Sequence, residues 1–216
     1  MAEGSQRDAI ITDAWYPRPS DYWVPADEAE QPGAWPYRFG DLFNAPPVDE
    51  HGVPLTDKQG EPWHAVMVAS PSCEMVSKAR DNDSIEVVRV LRLDTQDPKA
   101  QAAIVAGWQE KGERVTVAFA HTVFLAPVPR HGTHAEPMFA HLKSTRRVPL
   151  ASLREAGRVA ALTHEARVCV IRRDLYYRYR WLVPMSDVAE AERVRISNDP
   201  FFTPPRPDWA PLDPDA

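Results

Sequence analysis

The sequence predicts an α+β protein: a small bent antiparallel sheet or barrel, a C-terminal helical layer, and extended Pro/Trp-rich arms at both ends. Three observations carry that expectation. Through the middle of the chain apolar residues recur at every second position, the period of a strand with one buried face. Beyond Leu150 the spacing lengthens to that of a helix. At both ends prolines alternate with large aromatics. We divide the chain into an extended arm over 1–37, a single α+β domain over 38–196 and a second extended arm over 197–216.

The N-terminal arm carries Trp15, Tyr16, Pro17, Pro19, Tyr22, Trp23, Pro25, Pro32, Trp35 and Pro36. Each proline lacks an N–H donor and restricts the residue before it, so a long helix is forbidden and the segment stays extended. Exposed indole and phenol surface is unfavourable in water, so such an arm lies against something, either its own domain or a partner. Trp15, Trp23 and Trp35 are therefore candidate partner-binding residues. The tail repeats the logic with Phe201, Phe202 and Trp209 among Pro200, Pro204, Pro205, Pro207, Pro211 and Pro214.

Candidate strands follow at Phe39 to Phe43, Ala65 to Ala69, Ile85 to Leu93, Arg114 to Phe119, His121 to Val128 and Met138 to Val148. In the third, charges at Glu86, Arg89 and Arg92 break strict alternation, which predicts a bulge or a two-sided burial near Val87 and Val88. Asp49 to Glu61, rich in Gly, Pro and Asp, reads as a long loop. Asp97 followed by Pro98 marks a helix start, with the helix running through Trp108 to Gly112. A second pair of helices is expected at Leu150 to Leu162 and at Thr163 to Leu182. In the latter, Val168, Ile171, Leu175, Tyr179 and Leu182 share a face, and Pro184 stops it. A short helix after Ser186 completes the layer.

Charge and cysteine content narrow the functional classes. A formal charge of -6 excludes a protein that binds nucleic acid over its whole surface, since phosphate attraction needs excess Lys and Arg on the contacting face. The bias toward Arg, Ala and Pro suggests a bacterial or phage origin. Two cysteines, Cys73 and Cys169, sit far apart among apolar neighbours and do not form a disulfide framework. The first residues lack an export signal and no apolar run is long enough to span a bilayer, so a cytoplasmic protein without membrane contact is expected. No spacing implies a cofactor.

Three places invite chemistry. The apolar stretch Trp63 to Ala69 empties into a turn with Ser70, Ser72, Cys73 and Glu74. A thiol there becomes nucleophilic only where its pKa is lowered, and adjacent Glu74 acts against that. His64 is a candidate base, although six residues of strand separate it from Ser70 by about 20 Å. His121, His131, His134 and His141 are further candidates that folding would have to bring close. Cys73 as a buried thiol, with the serines bonding turn backbone, is the competing reading. Around His131, His134 and His141 the spacing matches no zinc signature, and no metal site is assigned. The last place is the basic stretch from Lys143 to Arg180. Its Arg172, Arg173, Arg178 and Arg180, interleaved with Tyr176, suit phosphates and stacked bases. The same pattern also describes a solvated helix face.

Phe39-Gly40-Asp41-Leu42-Phe43, a long loop, Glu61 to Ser70 and then Ile85 to Val90 resemble the opening of the MazF/PemK toxin barrels over about a quarter of the chain. Ser70-Pro71-Ser72-Cys73-Glu74 is also similar to the Ser-x-x-Cys-Asp motif of a group of bacterial and phage proteins, with Glu in place of Asp. The first resemblance implies a small MazF/PemK-like barrel. The catalytic positions of the toxin endoribonucleases read here Trp63-His64 and Arg89-Val90-Leu91-Arg92, so their usual Arg and Ser/Thr pair is absent. The expected function is a non-enzymatic binding or assembly module that contacts a protein partner or larger assembly through its aromatic arms or basic helix, with nucleic acid as a second candidate partner. The alternative is a toxin-type endoribonuclease or other hydrolase using His64, Cys73, Glu74 and Arg89.

Overall fold

A computed structural model of the chain describes residues 16, 21–25, 38–70, 84–111, 114–128 and 134–179. Its strands are β1 (Trp23–Pro25), β2 (Leu42–Asn44), β3 (Ala65–Val68), β4 (Ser84–Arg92), β5 (Trp108–Lys111), β6 (Arg114–Val117), β7 (Thr122–Leu125), β8 (Met138–Pro149) and β9 (Arg158–Leu162). Three α-helices accompany them: α1 (Pro98–Ala106), α2 (Leu150–Ala156) and α3 (His164–Tyr179). Seven strands form one sheet in the order β1-β9-β2-β3-β4-β8-β7, and β5 pairs with β6 separately. Every adjacent pair is antiparallel.

The sheet is not closed into a barrel. Its two edges nevertheless approach, and aromatic side chains bridge them. The Tyr22 hydroxyl beside β1 donates to the Phe124 carbonyl of β7. Trp23 Nε1 donates to the Ala126 carbonyl at 2.8 Å, and the Phe124 N–H donates to the Tyr16 hydroxyl at 3.2 Å. Such a curl follows from the twist of antiparallel strands, and the bridges give buried hydroxyl and indole groups their partners. Trp23 is thus a core residue of its own domain. It offers no surface to a partner, because its indole is buried and its N–H is used.

Strand alternation sorts the apolar side chains onto two faces. One face carries Leu42, Met67, Val88, Val90, Ala140 and Leu162, closed by α3 through Ala166 and Val170. The other carries Phe43, Val66, Val68, Ile85, Val87 and Val148, closed by Leu150 and Leu153 of α2 and by Leu55 and Trp63 of the long loop.

Helix α1 begins as expected, with the Asp97 carboxylate accepting from the Lys99 and Ala100 N–H groups. It ends five residues before Gly112, at Gly107, which takes the left-handed conformation at φ 78; Trp108 therefore opens β5. A larger correction concerns Leu150 to Leu162. The helix stops at Ala156, Gly157 turns the chain at φ 85, and Arg158–Leu162 becomes a fully buried strand between β1 and β2. A short apolar run reads equally as helix or buried strand, and here the vacancy in the sheet decides. The bulge expected near Val87 and Val88 falls between Val88 and Arg89, with the extra residues on the partner strand: Val88 faces Thr145 and Arg89 faces His141, leaving Leu142, Lys143 and Ser144 unmatched on β8. The segment after Tyr179, including the expected short helix, lies outside the described residues. Among the described residues no helix is long and apolar enough to cross a membrane.

Candidate functional site

Arg89 and Leu91 of β4 stand two residues apart and share one side of the strand. Across the sheet Arg89 is level with His141 of β8, and His141 with Thr122 of β7. Where the apolar cover of α2 ends, this row opens into a cleft of about 700 Å³. The long loop supplies one wall through Thr56, Asp57, Lys58 and Trp63, while Ile104 of α1 and the turn bearing Phe119 and His121 supply another.

The loop wall is built by its aspartates. Asp49 Oδ1 accepts from the N–H groups of His51 and Val53, and Asp57 Oδ1 from those of Gln59 and Glu61, two turns in which a carboxylate stands in for backbone. Trp63 Nε1 donates to the Thr56 carbonyl at 3.0 Å and holds the loop to the sheet. Asp57 then has its second oxygen for Arg89, 3.1 Å away. Burial pushes the Asp57 carboxyl up, but the Glu61 and Gln59 amides and Arg89 outweigh it and hold it below the usual carboxylate range. The Arg89 guanidinium carbon lies 6.0 Å from the centre of the Trp63 ring, within reach of a cation–π attraction.

The opposite side of the cleft is built by the β8 bulge, a device that re-aims side chains. His141 Nδ1 lies 2.7 Å from Ser144 Oγ, and the Thr145 hydroxyl donates to the Leu142 carbonyl. The Leu142 N–H donates to the His121 carbonyl at 2.8 Å, which ties the bulge to the turn before β7. The imidazoles of His121 and His141 meet edge to face with centroids 5.1 Å apart. Half-burial, then the neighbouring charges of Lys143 and Arg89, pull the His141 pKa below its ordinary value, so its ring is neutral at pH 7 and able to accept a proton.

Charge distinguishes this cleft from the rest of the molecule. Lys58, Arg89, Lys143 and Arg146 line it, against Asp57 as the one lining carboxylate among the described residues. Trp63, Phe119 and Phe139 add flat apolar surface. Among the described residues no three His, Cys, Asp or Glu side chains gather as a metal ion would require.

The residues singled out from the sequence scatter. Arg89 is in the cleft. His64 is exposed at the start of β3 and is not among the residues lining the cleft. Cys73 and Glu74 lie outside the described residues, as do Trp15, Trp35, Arg180 and His131. Ser70 accepts from the Glu86 N–H at 2.7 Å, a backbone role. His134 is buried, with Nε2 3.3 Å from Asn44 Oδ1.

On α3 the reading of a basic binding face is corrected: Arg172 and Arg173 are both buried. Arg173 donates to the carbonyls of Thr122 and Gly107, each at 2.9 Å, and to those of Ala118 and Phe119. A guanidinium spent on four carbonyls inside the protein has nothing left for phosphate. Arg178 is held by Asp174 at 2.8 Å and by Glu86 at 3.5 Å, and Tyr176 packs half-buried against Val117. His121, His141 and Ser144, which sequence reasoning did not assemble, carry one weak signal: alternation along Met138–Pro149 fails after Leu142. Comparison with known protein families, with curated proteins and with solved structures finds no match.

Proposed function

We propose that the protein is a binding module whose cleft takes a phosphate-bearing ligand with a planar ring, a nucleotide or a stretch of single-stranded RNA. One observation carries the reading: four cationic side chains surround one cleft with a single carboxylate, in a chain whose formal charge is -6. A concave site lined by one sign of charge concentrates counter-ions, and aromatic walls beside cations suit stacked bases. The described part of the N-terminal arm favours the cleft over the arm as the docking element, because Tyr16 and Tyr22 are engaged with β7 and Trp23 with Ala126 just after it.

The test is calorimetric titration of the full chain with ADP and with a short oligouridine at two salt concentrations. Binding that weakens steeply with salt supports the reading, and replacement of Lys143 and Arg146 by Ala should weaken it about tenfold or more, as the loss of two phosphate contacts would. Arg178→Ala, outside the cleft, should leave it unchanged. No heat with either ligand at low salt would refute the proposal.

A second reading, hydrolysis of the bound ligand, is favoured by the two imidazoles beside Arg89 in the same cleft. Incubation with mixed RNA, wild type against His141→Gln, tests it. Intact RNA in both samples across several buffers counts against toxin-type cleavage.

A further inference from the structure

The bulge in β8 places a hydroxyl, a base and several cations within one wall of the cleft. Ser144 Oγ sits 2.7 Å from His141 Nδ1, and both line the cleft together with Lys143, Arg146 and Arg89. A hydroxyl within hydrogen-bond reach of a positioned imidazole is the minimal arrangement for an activated nucleophile. The base is itself oriented: the edge-to-face contact with His121 fixes the ring plane, and the Leu142 N–H to His121 carbonyl bond fixes the distance between the two segments. Neighbouring cations are the groups that stabilise charge developing on phosphoryl oxygens.

We infer that Ser144 and His141 form a nucleophile–base pair that attacks phosphoesters held in the cleft. The inference rests on the reading of the cleft as a phosphate site and deepens its hydrolytic variant. Ser144 Oγ forms a bond to phosphorus while its proton passes to His141 Nδ1. The bond from phosphorus to the leaving oxygen breaks, and that oxygen takes the proton from His141. Water then attacks the phosphoserine, giving its proton to His141, and the P–Oγ bond breaks with return of the proton to Ser144. The net reaction is hydrolysis of one phosphoester bond. This differs from cleavage by the ribose hydroxyl of RNA, in which the protein forms no covalent bond.

The experiment treats the full chain with diisopropyl fluorophosphate, from which fluoride leaves as the serine oxygen bonds to phosphorus, and maps the adduct by peptide mass spectrometry. The expected result is a single adduct on Ser144, absent from Ser144→Ala and formed at least tenfold more slowly in His141→Gln. Ser144→Cys, which retains the size and hydrogen-bonding reach of serine, keeps the test valid if the alanine variant folds poorly: its thiol should react with iodoacetamide faster than that of the Ser144→Cys, His141→Gln double variant. Absence of any Ser144 adduct, or equal rates with and without His141, overturns the pair. ADP titration of the same samples separates the two ideas. Binding without labelling refutes the nucleophile and leaves the phosphate site standing, whereas labelling without binding refutes the phosphate site.

Discussion

Two groups of arginines in this molecule show how surroundings assign opposite work to one side chain. Arg158, Arg167 and Arg173 are buried. Arg158 and Arg167 converge on Asp41, itself fully buried, at 3.1 and 3.3 Å, and Arg167 also donates to the carbonyls of Phe39 and Leu162. Arg89 and Arg146, by contrast, line an open cleft. Arg167 and Arg173 donate to backbone carbonyls, and Arg158 and Arg167 to Asp41, since a buried cation is tolerated only when its donors find partners. Of the cleft set, Arg89 is paired with Asp57 at 3.1 Å, and Arg146 keeps its charge where a ligand can meet it. Positive charge in the sequence is thus a poor guide to binding until its partners are known.

The two groups are joined. Arg173 holds Ala118, Phe119 and Thr122, and between them lies the turn that brings Phe119 and His121 to the cleft. Phe119 adopts a positive φ of 42 there, a conformation that costs a non-glycine residue and persists only when the surroundings enforce it. The buried arginine, with the Leu142 N–H to His121 carbonyl bond, thus holds one wall of the site.

The largest effect is expected at Asp41. Asp41→Asn removes the buried carboxylate that Arg158 and Arg167 share, and a loss of about 3–5 kcal/mol is expected, read as a drop in the urea midpoint at unchanged slope. A loss under about 1 kcal/mol would show that the Asp41 charge is not what holds the two guanidinium groups.

Arg173→Ala comes next. It removes the donor to four carbonyls, with an expected cost of about 2–4 kcal/mol. It should also weaken ADP binding, although Arg173 does not line the cleft. Unchanged affinity with lowered stability would mean that the turn keeps its shape without the arginine. Arg146→Ala is the sharpening control from the open set: exposed and away from the cores, it should change stability by less than about 0.5 kcal/mol while weakening ligand binding.

Much of the sheet was legible from its short β-branched and apolar runs; Ala65 to Val68, buried on both faces, and Ser84 to Arg92 fall within a residue or so of where the sequence puts them. The strands at Trp23, Trp108 and Arg158 were not. Trp23–Pro25 is too short for a period, and Trp108 continues a helical pattern past the glycine that ends it. Arg158–Leu162 is buried on both faces and so has no alternation to read. The site was less visible still. Its residues come from the long loop, β4, the turn before β7 and β8, and they meet through a bulge whose three extra residues shift the register. Spacing along the chain records that shift only as the lost alternation after Leu142. The basic stretch misled for a related reason: nothing in Arg172 and Arg173 announces that both will be buried, or that carbonyls across the fold will claim Arg173.

The smallest expected effect isolates the cleft by pH. Burial, Lys143 and Arg89 lower the His141 pKa from its ordinary 6.5, and His121, Lys58 and Arg146 add no nearby negative charge to oppose them, while Asp57 is occupied by Arg89. In the unfolded chain the imidazole protonates near 6.5; in the folded protein it does so lower. Between those values the unfolded state binds the extra proton, so this contribution to stability is complete above about pH 6.5 and is lost as pH falls toward the folded pKa. Asp174 has its pKa raised by burial and works in the opposite sense, so the quantity to measure is the difference between wild type and His141→Gln, in which Asp174 cancels. Bound phosphate reverses the His141 shift by placing negative charge beside the ring. ADP binding should therefore take up protons near pH 6, seen as a dependence of the binding heat on the ionisation enthalpy of the buffer, and the uptake should vanish in His141→Gln. Equal uptake in both proteins would place the ligand's phosphate away from His141 and dissolve the distinction between the open charges and the buried ones.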